Sequence, residues 1–215
     1  MNAHHLALSF THDMYVDDDE PFRLMKRIEG TIWAHRDVRR ARAGRFCIFI
    51  VDAERAFIEG ESVFEVFDTY AQTVNFYELY TDDLEYKPAV VKLLLGGSRF
   101  APSMLILDRL EVGPKYKGQH IGLRVLQYLQ LQFSMGCGIV AMKPYPLQFE
   151  GGTPQENAAK AKFIEQGLDD FPKDFKKSLA RLQRYYGRLG FKKVPGLEYM
   201  VADPYSCVPK ILGDA

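Results

Sequence analysis

The sequence predicts an α/β fold whose sheet contains a parallel crossover. The second half carries the evidence. SMLILDRLEV (103–112) reads as a strand, Ile121 to Phe133 as a helix, and GIVAMKPYP (138–146) as a second strand. Helical segments and two short strands follow in alternation, and that order argues for at least one parallel strand pair covered by helices.

From the N-terminus, HLALSF (5–10) reads as a short strand. DDDEP (17–21) has the marks of a helix start: acidic residues favour the positive end of the helix dipole, and Pro21 suits the first helical position. A helix from Pro21 to about Ala43 is expected, with Gly44 as its stop and Gly30 as a weak point dividing it. RFCIFIVD (45–52) is a strand. In 61–80, Val63, Phe67, Tyr70, Val74 and Tyr77 recur three or four residues apart, and Ser62 with Glu65 makes a capping box, so a helix is expected there. Pro88 to Leu95 reads as a short helix stopped by Gly96 and Gly97. The strand at 138–146 ends in prolines, which cannot continue a ladder. EGGTPQEN (150–157) is a break, helices are expected near 154–167 and 173–189, and FKKVP and LEYMVADP read as closing strands. The whole of 1–215 is expected to form one domain, with an extended link at 147–172.

Composition narrows the function. The chain has 215 residues, a net charge of zero and a pI near 7. No global basic field favours nucleic acid, which is disfavoured as a partner. The longest apolar run, FCIFIV, is too short to span a bilayer, and the N-terminus lacks the basic and apolar regions of a signal peptide. Three separated cysteines with no CxxC spacing argue against a disulfide framework or a thiolate zinc site, so a cytoplasmic protein is expected. His4, His5 and His12 have no acidic partner at ligand spacing, and no metal is assigned.

KYKGQHIG (115–122) joins the strand at 103–112 to the helix at 121–133. A helix start offers unpaired N–H groups and partial positive charge, and successive backbone N–H groups can cradle a pyrophosphate. Lys115, Lys117 and Arg124 add charge. Gly113 and Gly118 have the spacing of a Walker A loop, but Gln119 and His120 stand where its lysine and hydroxyl residue belong, so a P-loop NTPase is excluded.

Leu110-Glu111-Val112-Gly113-Pro114, followed by Lys117-Gly118-Gln119-His120-Ile121-Gly122, resembles the acetyl-CoA loop of the GNAT superfamily of N-acetyltransferases. Lys117 stands in place of Arg or Gln, and His120 in place of Gly. Downstream, Tyr185-Tyr186-Gly187-Arg188-Leu189-Gly190-Phe191 resembles the later aromatic–Tyr–x–x–x–Gly–Phe motif of that family, with Leu179 where an Asn is common. The two motifs cover less than half of the chain, in the family's order.

The resemblance implies a GNAT-like mixed sheet with a central parallel strand pair that splays apart, and an acetyl-CoA-dependent N-acetyltransferase acting on a primary amine of a small molecule or peptide. The cofactor-binding residues it implies are Leu110, Val112, Lys117, Gly118, Gln119, His120, Ile121 and Gly122. Backbone N–H groups near Leu110 and Val112 would polarise the thioester carbonyl. Asp108, assigned by strand alternation to the face of Leu110 and Val112, is the first candidate for the base that takes the acceptor's proton. Glu111 is the second and Glu150 the third. Tyr186 is the candidate acid for the departing thiolate, with Tyr185 packing elsewhere. Glu111, Tyr145, Gln148 and Glu150 are candidates for acceptor binding.

Other readings stand beside these. RDVRRARAGR (36–45) reads as a solvated basic helix end, and Cys137 as a buried small hydrophobe. A non-catalytic CoA sensor or scaffold of the same fold is the alternative function, and a basic interaction domain without cofactor a further one. A homodimer is compatible with the sequence. His120 is expected to adopt positive φ, where His is enriched among non-glycine residues, with its ring turned away from the cradle or at its rim.

Overall fold

A computed structural model describes residues 5–12, 21–36, 39–94, 101–149 and 171–205. Seven strands form one mixed sheet: β1 (His5–Thr11), β2 (Met25–Arg36), β3 (Arg39–Val51), β4 (Met104–Val112), β5 (Ile139–Met142), β6 (Lys192–Lys193) and β7 (Met200–Ala202). They lie in the order β1-β2-β3-β4-β5-β7-β6, and each neighbouring pair is antiparallel except β4 and β5, which run parallel. Five α-helices are described: α1 (Ala53–Glu59), α2 (Val63–Asp68), α3 (Pro88–Val91), α4 (Ile121–Phe133) and α5 (Phe175–Gly187).

The two sheet faces bury separate cores. Met25, Phe49, Val51, Met104 and Ile106 point to one side, where α1, α2, the 3-10 turn Val74–Leu79 and α3 cover them. Ile28, Ile32, Phe46, Ile48, Leu105 and Leu107 point to the other, under α4 and the end of α5. Strand alternation makes this division, since successive side chains take opposite faces. On α4 the stripe Ile121, Val125, Leu126 and Leu129 is buried, each large apolar side chain contributing about 1.5–3 kcal/mol.

The chain from Pro21 to Ala43, expected as a helix, is instead a 3-10 turn followed by β2 and the start of β3. Lys, Arg, Glu and Ala have good helix propensity, but Ile28, Ile32 and Ala34 are buried at even spacing, the period of a strand. Gly30 does not weaken a helix. It lies opposite Phe46, whose ring covers it so closely that a Cβ there would stand 2.3 Å from the ring. Gly44 is no helix stop either: it lets β3 approach β4, and a Cβ would meet the Glu111 carbonyl at 2.0 Å.

Elsewhere the expected elements form with changed extents. Ser62 caps α2 by accepting from the Glu65 N–H at 3.3 Å, but the helix stops at Asp68. Buried Thr73, whose hydroxyl donates to the Phe67 and Tyr70 carbonyls, secures the turn before the 3-10 segment. Helix α1 was not expected. Its signals are Asp52, which accepts from the Arg55 N–H at 3.2 Å, and Gly60, left-handed at φ 77°. β5 ends at Met142, before the prolines. The expected helix near 154–167 lies outside the described residues, as does most of the link at 147–172, of which Leu147–Phe149 forms a 3-10 turn.

Candidate functional site

The parallel pairing of β4 with β5 is short. It joins Met104 to Ile139, Leu105 to Val140 and Ile106 to Ala141, and β4 then continues alone on that side to Val112. β4 stays with β3 up to the Gly44–Val112 pair, while β5 stays with β7. Beyond Ile106 β4 has no partner on that side, because β5 ends one residue after Ala141, at Met142. Alternate N–H groups along a strand point to the same edge, so part of the β4 backbone from Leu107 to Val112 presents donors on the side where β5 no longer pairs.

A bulge lies within this stretch. Cys47 is opposite Arg109 and Ile48 is opposite Leu107, so Asp108 has no counterpart on β3. The extra residue resets the alternation. Leu107 shares the α4 face with Leu110 and Val112, although three residues separate Leu107 from Leu110. Counted back from Arg109, Asp108 keeps the parity of Leu110 and Val112; the step that the bulge alters is the one from Leu107. Asp108 is exposed at the bulge, and its charge acts on the Cys47 thiol on the opposite sheet face. Burial first and Asp108 second push that thiol up to about 11, so it stays protonated at neutral pH. Burial likewise pushes Cys137 up to about 12, the behaviour of a small buried hydrophobe.

At the end of β4, Pro114–Tyr116 forms a 3-10 turn, and residues 117–120 turn into α4. Gly118 has φ +77° and His120 φ 58°, while Gln119 between them has negative φ. Alternating signs of φ bring successive N–H groups toward one side, the geometry of an anion-binding nest. Open space surrounds the position a Cβ would take on Gly118. His120 is exposed and receives a 3.4 Å hydrogen bond at Nδ1 from Arg188 beyond α5, so its ring lies toward that helix end. Gln119 donates to the Lys115 carbonyl at 3.0 Å. The Lys117 ammonium lies 4.3 Å from the centre of the Phe171 ring. Ile121 is a core residue, so its part in any cradle is its main chain.

Gly122 is required by a close contact that sequence reasoning missed. A Cβ there would lie 2.6 Å from the Tyr185 hydroxyl and 3.3 Å from Leu110 Cδ2. Tyr185 is thus fixed at the junction of α4 and β4, where burial raises its pKa while the Leu123 N–H and Arg188 act to lower it. Tyr186 packs on the same core, its ring 5.6 Å from that of Tyr185. Burial first and Tyr185 second hold its hydroxyl well above the ordinary tyrosine range, so it is protonated at neutral pH.

The candidate acceptor residues separate. Glu111 accepts from Arg45 at 2.5 and 2.7 Å and from Arg109 at 2.7 Å. Burial alone would raise its pKa, but the hydrogen bonds from Arg45 and Arg109 and their charges outweigh it and lower the carboxyl below its ordinary value. A depressed carboxylate stabilises the fold above the unfolded pKa, and that contribution is lost as pH falls through the folded pKa. Denaturation across pH 2 to 7 should therefore show Glu111→Gln less stable than wild type near neutrality, with the gap closing in acid. A gap independent of pH would remove this account. Tyr145 donates to the Phe149 carbonyl at 3.0 Å, and Gln148 donates to Ser178 Oγ at 3.0 Å. With the Phe175 ring tilted against Tyr145 and edge-on to Phe149, these contacts seat 143–149 against the start of α5. Glu150 lies outside the described residues.

On the face opposite α4, β2, β3 and β4 enclose a cleft of about 280 Å³, with Glu29, Thr31, Arg42, Arg45, Cys47 and Arg109 among its walls. Among the described residues no group of three or more His, Cys, Asp or Glu could hold a metal ion, and no helix is long and apolar enough to cross a membrane.

Fold and site together define a mixed α/β protein with an interrupted central parallel pair and a basic loop leading into a helix. No family model, curated protein or solved structure matches this chain.

Proposed function

We propose that the protein is an acetyl-CoA-dependent N-acetyltransferase of the GNAT type, which transfers the acetyl group directly to a primary amine of a small molecule or peptide in a ternary complex. The observation that carries this reading is the end of β4–β5 pairing after Ile106 and Ala141, with the 117–122 turn leading from the unpaired end of β4 into α4. Sequence motif and geometry coincide there, and the interruption is what a splayed strand pair requires.

The residues present suit the co-substrate. The turn at Gly118, Gln119 and His120 and the first N–H groups of α4 suit the pyrophosphate, with Lys115 nearby to add charge. Acetyl-CoA supplies the activated thioester. Backbone N–H groups of β4 between the bulge and Val112 lie where they can polarise its carbonyl at no cost of reorganisation. Asp108 takes the proton of the incoming ammonium, and Tyr186 donates to the leaving sulfur. Glu111 is a poor base, because two guanidiniums hold it ionised with a lowered pKa.

Thermal denaturation tests the binding step. At acetyl-CoA a hundredfold above Kd, stability rises by about 2.7 kcal/mol, which for a chain of this size raises Tm by roughly 5–10 °C. No shift at millimolar acetyl-CoA would reject the reading. A shift without thiol release against any amine would favour the non-catalytic CoA-binding alternative.

A further inference from the structure

The two edges of the sheet are built differently. At one, β6 is two residues long and both are exposed lysines, Lys192 and Lys193. Short length and lysine are means by which edge strands avoid pairing with other chains. At the other edge, β1 has seven residues, HLALSFT, with no Lys, Arg, Asp, Glu or Pro among them. Its pairing with β2 runs from His5–His35 to Thr11–Glu29 without a shift, whereas β2–β3 and β3–β4 each carry one. Among the described residues β1 pairs with β2 alone. The N–H and C=O groups on its outer side are therefore open to another strand.

The side chains say which strand fits there. By alternation Leu6, Leu8 and Phe10 stand on one face, and His5, Ala7, Ser9 and Thr11 on the other. Leu6 and Leu8 are partly buried against the core under α4, and the Phe10 ring meets Phe133 of α4 edge-on at 5.5 Å. Phe10 still has 49% of its surface exposed. A second β1, antiparallel to the first with all seven residues paired, places a two-fold axis at Leu8. Leu8 then faces Leu8 of the second copy, Leu6 faces its Phe10, and Ala7 faces its Ser9. The apolar row continues across the seam, and no like charges stand opposite each other, the arrangement that destabilises cross-strand pairs.

We propose that β1 is a dimerisation edge, at which two copies of this chain pair antiparallel and join their seven-stranded sheets into one. The contact is isologous: each copy offers the same strand to the other. Main-chain hydrogen bonds supply the attachment, and Leu6, Leu8 and Phe10 set the register. None of these residues belongs to β4 or to the 117–122 turn, so the pairing stands apart from acetyl transfer. An interface centred on one strand is at the small end of the size range, so the dimer is reversible.

Sedimentation equilibrium of the full chain, from about 1 to about 500 µM, should show a monomer–dimer equilibrium with a micromolar Kd, as suits a small interface. Hydrogen exchange at the two ends of that range should show the outward amides of His5–Thr11 better protected at the higher concentration. Ala7→Lys, at an exposed position, brings like charges to either side of the two-fold axis and should weaken the dimer about tenfold. Ala7→Lys combined with Ser9→Glu sets each lysine opposite a glutamate of the other copy and should recover the dimer. Leu8→Lys, which puts both charges on the axis, should leave only monomer, with Tm showing that the chain still folds; if it does not fold, the exposed pair at 7 and 9 decides alone. A chain that stays monomeric at the highest concentration would overturn the proposal. So would a dimer that Ala7→Lys leaves intact, or one in which the β1 amides gain no protection.

Discussion

Replacing Gly44 with alanine is expected to destabilise the fold by about 3 kcal/mol, at the upper end of overpacking costs. The added Cβ would stand 2.0 Å from the Glu111 carbonyl oxygen, 3.0 Å from its carbon and 3.2 Å from Ile32 Cδ1. Two of these atoms are backbone, so no rotamer change relieves the clash and β3 must move away from β4. That motion disturbs the Gly44–Val112 and Arg45–Glu111 pairs, and with them the Arg45 and Arg109 hydrogen bonds to Glu111. Gly187→Ala is the control. Nothing lies within 4 Å of its would-be Cβ, and at the end of a helix alanine should be neutral or stabilising by up to about 1 kcal/mol. Urea denaturation of both variants measures the contrast. A loss below 1 kcal/mol for Gly44→Ala would mean that the strands are not packed as described.

The largest effect on activity is expected from Asp108→Asn. General bases contribute about 10²–10⁴-fold to rate, so kcat/KM should fall by at least 100-fold. The side chain is exposed and the replacement nearly isosteric, so stability and the acetyl-CoA thermal shift should persist. The acid limb of the pH–rate profile, which reports the ionisation of the base, should disappear. Tyr186→Phe should also lower kcat with binding retained, and because burial holds the hydroxyl well above the ordinary tyrosine range, the effect should persist into alkaline pH. Wild-type turnover in Asp108→Asn would move the base elsewhere. Glu111 would be a weak successor, since Arg45 and Arg109 already hold it ionised.

The elements that were legible in the sequence are those whose signals are local. Helix α4 begins and ends where its apolar spacing places it, and Ser62 caps α2. His120 has the positive φ expected of it. The misread segment, 21–43, is governed by pairing with distant strands, as where Phe46 covers Gly30, and side-chain propensity says little about that. The bulge at Asp108 was hidden for the same reason. Alternation along SMLILDRLEV assumes one residue per step, and only the register with β3 reveals the extra one. Around the candidate site, the turn into α4 and the helix that carries Tyr186 were legible from motif spacing. The hydroxyl of Tyr185 against α4 and the hydrogen bond of Gln148 to Ser178 arise between segments far apart in sequence, and no short pattern encodes them.

The three residue pairs that join β4 to β5 have a mechanical meaning. Four strands lie on one side of that seam and three on the other, and both cores carry side chains from the two blocks across it. Few hydrogen bonds make for a compliant joint. A molecule that touches both blocks stiffens the joint, and one that touches a single block leaves it free. With few rungs at the seam, it falls to the two cores to keep the blocks in register.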